Sequence, residues 1–206
     1  MAPMPDRSVR ERWNRRWAER DVAALERAPA EWLVQSSSLL LTAPGRRALD
    51  VACGDGRNAG HLARLGFTVD AVDISDVAVE ALRAAAAARR LAIRPRRIDL
   101  EHAPLPVAAY DTIVQISYLQ RDLFGALAEA LAPGGILVVE TFTRSHVQEL
   151  GAAMDPRYLL DAGELRHAFP TLTLLRYREG IVQRDEHRRA VASAVSRRPP
   201  APRPGR

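Results

Sequence analysis

The chain has 206 residues, 47% hydrophobic and 27% charged, which fits one globular unit with a real core and excludes a disordered, collagen-like or disulfide-rich chain. A single cysteine, Cys53, rules out an intrachain disulfide, and no run of roughly 18 apolar residues offers a membrane span. The net charge of +5 comes wholly from arginine, since no lysine occurs, and four of the 30 arginines lie in the last ten residues, which hold no acid. Residues 1–196 are therefore near balance. The basic excess belongs to a Pro/Arg tail, which does not favour a nucleic-acid partner for the body of the chain. The polar stretch 1–20 holds no apolar signal-peptide core, so a cytoplasmic protein with no membrane partner is the expectation.

Taken in chain order, Trp13, Trp17 and Val22 are spaced for one face of a helix over 7–27, stopped by Pro29. A second helix is expected over 30–41, before the breakers Pro44 and Gly45. From Arg46 onward, strands alternate with helices. Strands are expected over 48–53, 67–72, 96–100 (after Pro95), 110–116 and 136–140. Helices are expected over 60–65, ended by Gly66, over 76–90 with Ser75 as N-cap, and over 119–131, stopped by Pro133, Gly134 and Gly135. That rhythm predicts an α/β fold, a parallel sheet with helices on both faces. It breaks after Thr141 into a loop over 144–160, a short helix over 162–169, and two strand-like runs, 171–178 and 189–196, joined by a charged turn as a β-hairpin. The tail from Arg198 is proline-rich and is expected to be disordered or polyproline II.

The strongest local signal is the segment 50–59, Asp-Val-Ala-Cys-Gly-Asp-Gly-Arg-Asn-Ala, between a strand and a helix. Its glycines let a ligand approach the backbone, and Asp73 closes the next strand at the distance of a ribose-binding carboxylate. Two ligand classes use this arrangement. Gly54, Gly56 and Ala59 match the dinucleotide fingerprint, which would make the chain an NAD-binding oxidoreductase. The other ligand is S-adenosyl-L-methionine (SAM). Charge separates them: a pyrophosphate wants bare backbone N–H groups, whereas Asp50 and Asp55 suit the ammonium and sulfonium of SAM.

Segment 50–59 resembles motif I of the class I SAM-dependent methyltransferases. Asp73 and Ile74 are similar to that family's ribose-binding acid and its neighbour, Asp99 and Leu100 to its acid/apolar pair beside the adenine, and Pro133–Gly135 to the turn before its fifth strand. The resemblance implies a Rossmann-like three-layer sandwich, with a seven-stranded, mostly parallel sheet and an antiparallel last strand. Its domain would span 45–197, with N-terminal helices over 1–44 covering the cofactor site and a tail over 198–206. A narrower resemblance is to the tellurite-resistance and thiopurine methyltransferase group. It rests on Gly56, Arg57 and Asn58, on the segment 163–166, and on Trp13 and Trp17, whose counterparts cover bound SAM in the thiopurine enzymes. Arg121 resembles an arginine facing the acceptor pocket of that group.

The resemblance implies a cofactor site of Trp13, Trp17, Asp50, Ala52, Gly54, Gly56, Asn58, Asp73, Ile74, Asp99, Leu100, Gln115 and Ser117, with Arg121 catalytic. Gln115 and Ser117 would line the floor near the transferred methyl, and Arg121 would favour an anionic acceptor. The Asn/Asp-Pro-Pro-Tyr motif of amide and exocyclic nitrogen methylation is absent from 115–121. A small-molecule acceptor, a thiol or a metalloid oxyanion, is expected; methylation of RNA or a natural product is the alternative. No histidine shows metal-ligand spacing with another His or Cys, so no metal is expected. His146, Thr141 and Arg144 follow the fifth strand, where acceptor loops sit in this fold. Cys53 reads as a small buried residue rather than a nucleophile. The assembly is expected to be a monomer or homodimer.

Overall fold

The computed structural model describes residues 7–20, 23–184 and 187–201. Its strands are β1 Arg47–Val51, β2 Thr68–Asp73, β3 Ile93–Arg97, β4 Tyr110–Ile116, β5 Leu131–Phe142, β6 Thr173–Arg184 and β7 His187–Arg197. They form one sheet in the order β3-β2-β1-β4-β5-β7-β6. The β1, β2, β3, β4 and β5 pairings are parallel, and β7 runs antiparallel to both β5 and β6. The mostly parallel seven-stranded sheet with a reversed last strand is thus present.

The helices are α1 Arg7–Ala18, α2 Glu31–Gln35, α3 Ser37–Leu40, α4 Arg57–Arg64, α5 Asp76–Ala88, α6 Phe124–Ala130, α7 Ser145–Gln148 and α8 Glu164–His167. Apolar side chains fill both faces of the sheet, which makes three layers. On one face Trp32, Leu33, Leu40, Leu62, Phe67 and Leu82 pack on Val69, Val114, Val138 and Val195. On the other Leu123, Leu127, Leu165 and Phe169 pack on Leu49, Ile113, Leu137 and Val139. Strands covered on both faces explain the near-continuous apolar runs of β1, β4 and β5. Among the described residues no helix is long and apolar enough to cross a membrane.

Several boundaries differ from expectation. The first helix ends at Ala18 instead of continuing to 27: Leu25 takes a left-handed φ of 67° and donates its N–H to the Asp55 carbonyl. Val22 lies outside the described residues. The helix expected over 30–41 divides at Ser36, whose Oγ donates to the Trp32 carbonyl at 2.6 Å. The third strand lies at Ile93–Arg97, with Pro95 inside it. It is an edge strand pairing only with β2, and there a missing N–H costs no ladder bond. The helix expected over 119–131 is a 3-10 turn, Arg121–Leu123, followed by α6.

Pro133, Gly134 and Gly135 stand within β5 as an irregularity: the register steps from Tyr110 opposite Leu131 to Thr112 opposite Ile136. The start of the expected tail is held down, because Arg198 donates its N–H to the Gly135 carbonyl at 2.9 Å. Residues 202–206 lie outside the described residues, as do Asp185 and Glu186 of the charged turn. Ser75 caps α5 as expected, its Oγ accepting from the Ala78 N–H at 3.2 Å.

Candidate active site

The carboxyl ends of β1 and β2 meet at the glycine segment. Ala52, Gly54 and Gly56 all take positive φ, at 52°, 55° and 76°, which turns the chain sharply from strand to helix. Both glycines are also required by close packing. A Cβ on Gly54 would lie 2.3 Å from Trp17 Cζ2, and one on Gly56 would lie 2.2 Å from Leu82 Cδ1.

Two carboxylates brace the turn from below. Asp50, 1% exposed, accepts the Ala59 N–H at 2.9 Å and so anchors the first turn of α4. Burial pushes its carboxyl up to about 7, against the pull of the Ala59 N–H and of Arg57. Asp73 accepts from the Gly54 N–H through one oxygen and the Ser75 N–H through the other, both at 2.9 Å. Burial raises its carboxyl too, opposed by those N–H donors. Ile74 beside it is half-buried. Cys53 is buried, and its thiol is held well up by burial and the charge of Asp50, which leaves it inert as a nucleophile.

Helix α1 lies over this turn. Trp17 rests on Gly54, its Nε1–H buried without a partner, while the Arg20 guanidinium stacks 4.1 Å from its ring centroid. Trp13 is half-buried with Arg16 over its ring at 5.1 Å. Asn14 ties the helix to the second strand's loop: its Oδ1 accepts from Ser75 Oγ at 2.7 Å. Asn58 holds the next segment, accepting the Ala30 N–H at 3.0 Å, so that its oxygen braces the N-terminal chain. Asp55 does the same through Arg27, whose Nη2 donates to Oδ1 at 2.9 Å while its Nε donates to Oδ2.

At the ends of β3 and β4, Asp99 accepts from the Glu101 N–H at 3.1 Å and pairs with His102 Nδ1 at 3.0 Å. These three side chains offer oxygen and nitrogen atoms within 4.8 Å of one another at the surface. Leu100 is buried, and its carbonyl accepts from Gln120 Nε2 at 3.3 Å. Gln115 donates to the Tyr118 carbonyl at 3.0 Å, while its Oε1 is buried without a partner. Ser117 is exposed in the left-handed region, φ 59°. Tyr118 donates to Gln120 Oε1 at 2.5 Å; its hydroxyl is pushed up by burial and by the charges of Glu101, Asp99 and Asp73. It therefore sits where the two acidic strand ends converge. Tyr118, Gln120 and Asn14 were not singled out from sequence. A polar run directly after an apolar strand was the available signal for the first two.

Arg121 stands apart from this group. Its Nε and Nη2 grip Glu164 at 2.6 and 2.8 Å, and its Nη1 and Nη2 donate to the Arg157 and Leu159 carbonyls at 3.2 and 2.9 Å. The guanidinium thus straps segment 157–164 across the carboxyl end of β4. His146 stacks on Phe142 at 4.6 Å, with its Nδ1 accepting the Ala190 N–H at 3.4 Å.

Residues 48–135 match the methyltransferase domain family. A malonyl-[acyl-carrier protein] O-methyltransferase from Serratia marcescens is 32% identical over 159 residues, which cover 75% of this chain and 58% of that protein. The chain spans about half the length of the ubiquinone biosynthesis O-methyltransferases it also matches. Among solved structures, one described for the conversion of a disulfide bond into a thioacetal group during echinomycin biosynthesis superposes with a TM-score of 0.73 at 20% identity, covering 95% of this chain and 94% of its own. TehB from Haemophilus influenzae superposes at 0.68 with 19% identity, covering 81% of this chain and 61% of its own. Residues 48–135 thus match a methyltransferase domain, and the chain shares its fold with the echinomycin-biosynthesis structure and with TehB.

Proposed function

We propose that the protein is a SAM-dependent methyltransferase acting on a small-molecule acceptor. The observation that carries this reading is the pair of buried carboxylates, Asp50 and Asp73, that frame the glycine turn. Their negative charge, which burial holds back and a nearby cation would draw out, opposes a pyrophosphate and suits a cationic ligand bearing hydroxyl groups. The residues fit the cofactor's chemistry as well as its charge. Asp73 would accept from ribose hydroxyls, Ile74 would pack beside the sugar, and Asp99 with Leu100 would flank the adenine. Asp50, Ala52, Gly54 and Gly56 would shape the methionine end, with Asn58 bracing the turn. Gln115 and Ser117 would floor the pocket. Trp17, with Trp13 behind it, would cover the site, and the buried Trp17 Nε1–H is a donor available to a carboxylate.

Bound SAM would supply a methyl group activated by its sulfonium, the acceptor's lone pair taking the carbon as the S–CH3 electron pair returns to sulfur. The protein's contribution is alignment and exclusion of water. An acceptor that is already an anion needs no base, and the similar proteins named as O-methyltransferases favour oxygen over sulfur as the accepting atom. Arg121 acts in this reading by holding the 157–164 segment beside the acceptor. The test is calorimetric titration with S-adenosylhomocysteine (SAH) and with NAD, followed by labelled-methyl transfer from SAM over small acids, alcohols, thiols and tellurite. Micromolar binding of SAH with none of NAD is expected; binding of NAD alone would overturn the reading.

A further inference from the structure

The carboxyl end of β5 carries a polar network that the cofactor reading leaves unused. Glu140, 3% exposed, forms an ion pair through Oε1 with Arg184 Nη2 at 2.6 Å. Its Oε2 accepts from Arg184 Nη2 at 2.7 Å, Arg178 Nη2 at 3.2 Å and Ser193 Oγ at 2.7 Å. The Arg184 side chain is only 9% exposed, and the Nε–H groups of both Arg178 and Arg184 are buried without a partner. Arg57 opens α4, half-buried, within electrostatic reach of Arg184. Its Nη1 donates to the Ala28 carbonyl at 3.5 Å; burial and the charges of Arg27 and Arg184 press its guanidinium down, while Asp55 and Asp50 support its charge. Arg27 is matched by Asp55. One arginine would neutralise Glu140, yet two bind it.

A structural clamp of β6 onto β5 accounts for one of these arginines. It does not account for the second, which has no further carboxylate among the described residues: burying a cation beyond its counter-charge is costly unless a ligand completes the set. Their position is informative. The Ser117 N–H donates to the Glu140 carbonyl at 2.8 Å, so the cluster adjoins the end of β4. Arg57 directly follows Gly56 of the glycine turn. The arginines therefore flank that turn on the β4–β5 side, away from Asp73 and Asp99.

We propose that Arg57, Arg178 and Arg184 form an anion subsite for the methyl acceptor, which carries a carboxylate or phosphate group. The proposal rests on the methyltransferase reading and deepens it. Guanidinium groups suit either anion, since both accept paired N–H donors.

The test uses the full chain, with and without SAH, titrated calorimetrically with malonate in one arm and inorganic phosphate in the other, against chloride at constant ionic strength. Wild-type protein is expected to bind one of the two anions over chloride, and the arm that responds names the group. Arg184→Gln and Arg57→Gln are each expected to weaken that binding at least tenfold while SAH affinity stays within about twofold. Should Arg184→Gln fail to fold, Arg57→Gln, which leaves the Glu140 network intact, decides alone. Absence of anion binding in the wild type, or equal binding in a folded variant, overturns the proposal. Loss of SAH binding in the wild type strikes instead at the methyltransferase reading.

Discussion

Two regions of the sheet's carboxyl edge differ in charge and in construction. Around β1, β2 and β3 the side chains are acidic: Asp50, Asp73 and Asp99, held mostly by backbone N–H groups a few residues away. Around β5, β7 and β6 they are basic, gathered on Glu140 from 38 and 44 residues further along the chain. The acidic side suits a cation and the basic side an anion. An edge of this kind can hold a sulfonium donor against an anionic acceptor without a catalytic base, since the electrostatics are fixed before either partner arrives.

The comparison breaks most readily at Asp73. Asp73→Ala strands two buried N–H groups, each worth about 1–3 kcal/mol, and removes the expected ribose contact. SAH affinity is expected to fall more than tenfold by calorimetry; unchanged affinity would contradict the assignment of the acidic side.

The next largest effect is a pH dependence. Asp50 is raised by burial from 3.8 to about 7, so the folded state holds this proton more tightly than the unfolded chain does. Its stabilising contribution is complete below the unfolded value and is lost as pH climbs through the window between the two. That loss is on the order of a few kcal/mol. Denaturant melts across that window should show the decline in the wild type and a flatter profile in Asp50→Asn. Parallel profiles would remove Asp50 as the cause.

A smaller change is expected from Trp17→Ala, which uncovers Gly54. SAH binding should weaken severalfold, mainly through faster release measured by stopped flow, and a variant that releases SAH at the wild-type rate would exclude Trp17 as a cover. Smallest is Arg121→Gln. Its ion pair with Glu164 leaves Arg121 40% exposed, so the cost to stability is ~1 kcal/mol or less. Hydrogen exchange should quicken over 157–164 while SAH affinity holds. A tenfold loss of SAH affinity would return Arg121 to the cofactor site.

The same contrast explains what was legible in the sequence. The acidic side depends on short spacings, such as Asp50 to Ala59 and Asp73 to Ser75, and these can be read along the chain. β4 was placed at Tyr110–Ile116 because its apolar run is short and bounded. Pro95 reads along the chain as a strand boundary, whereas an edge strand tolerates it within. The long first helix misled because Trp13 and Trp17 do share its periodicity, while the stop comes from Asp55, whose backbone and side chain hold Leu25 and Arg27. The Glu140 network had no local signature: the arginines of β6 look like a solvated face until the sheet order sets β6 one strand away from β5, across β7. Arg121 reads in the sequence as a group for an anionic acceptor because Glu164, its partner in the fold, is 43 residues away.

Two tryptophans divide between these regions. Trp17 stands on the glycine turn with Arg20 against its face, and Trp32 lies beneath Arg176 and Arg178, at 4.7 and 4.8 Å from its ring centroid. Indole emission responds to nearby charge, so each ring is an intrinsic chromophore for its own half of the edge. With Trp13 and one other tryptophan replaced by phenylalanine, the remaining ring would report optically on one half of the edge. Occupation of the donor side and of the acceptor side could then be followed separately, in real time and without a label.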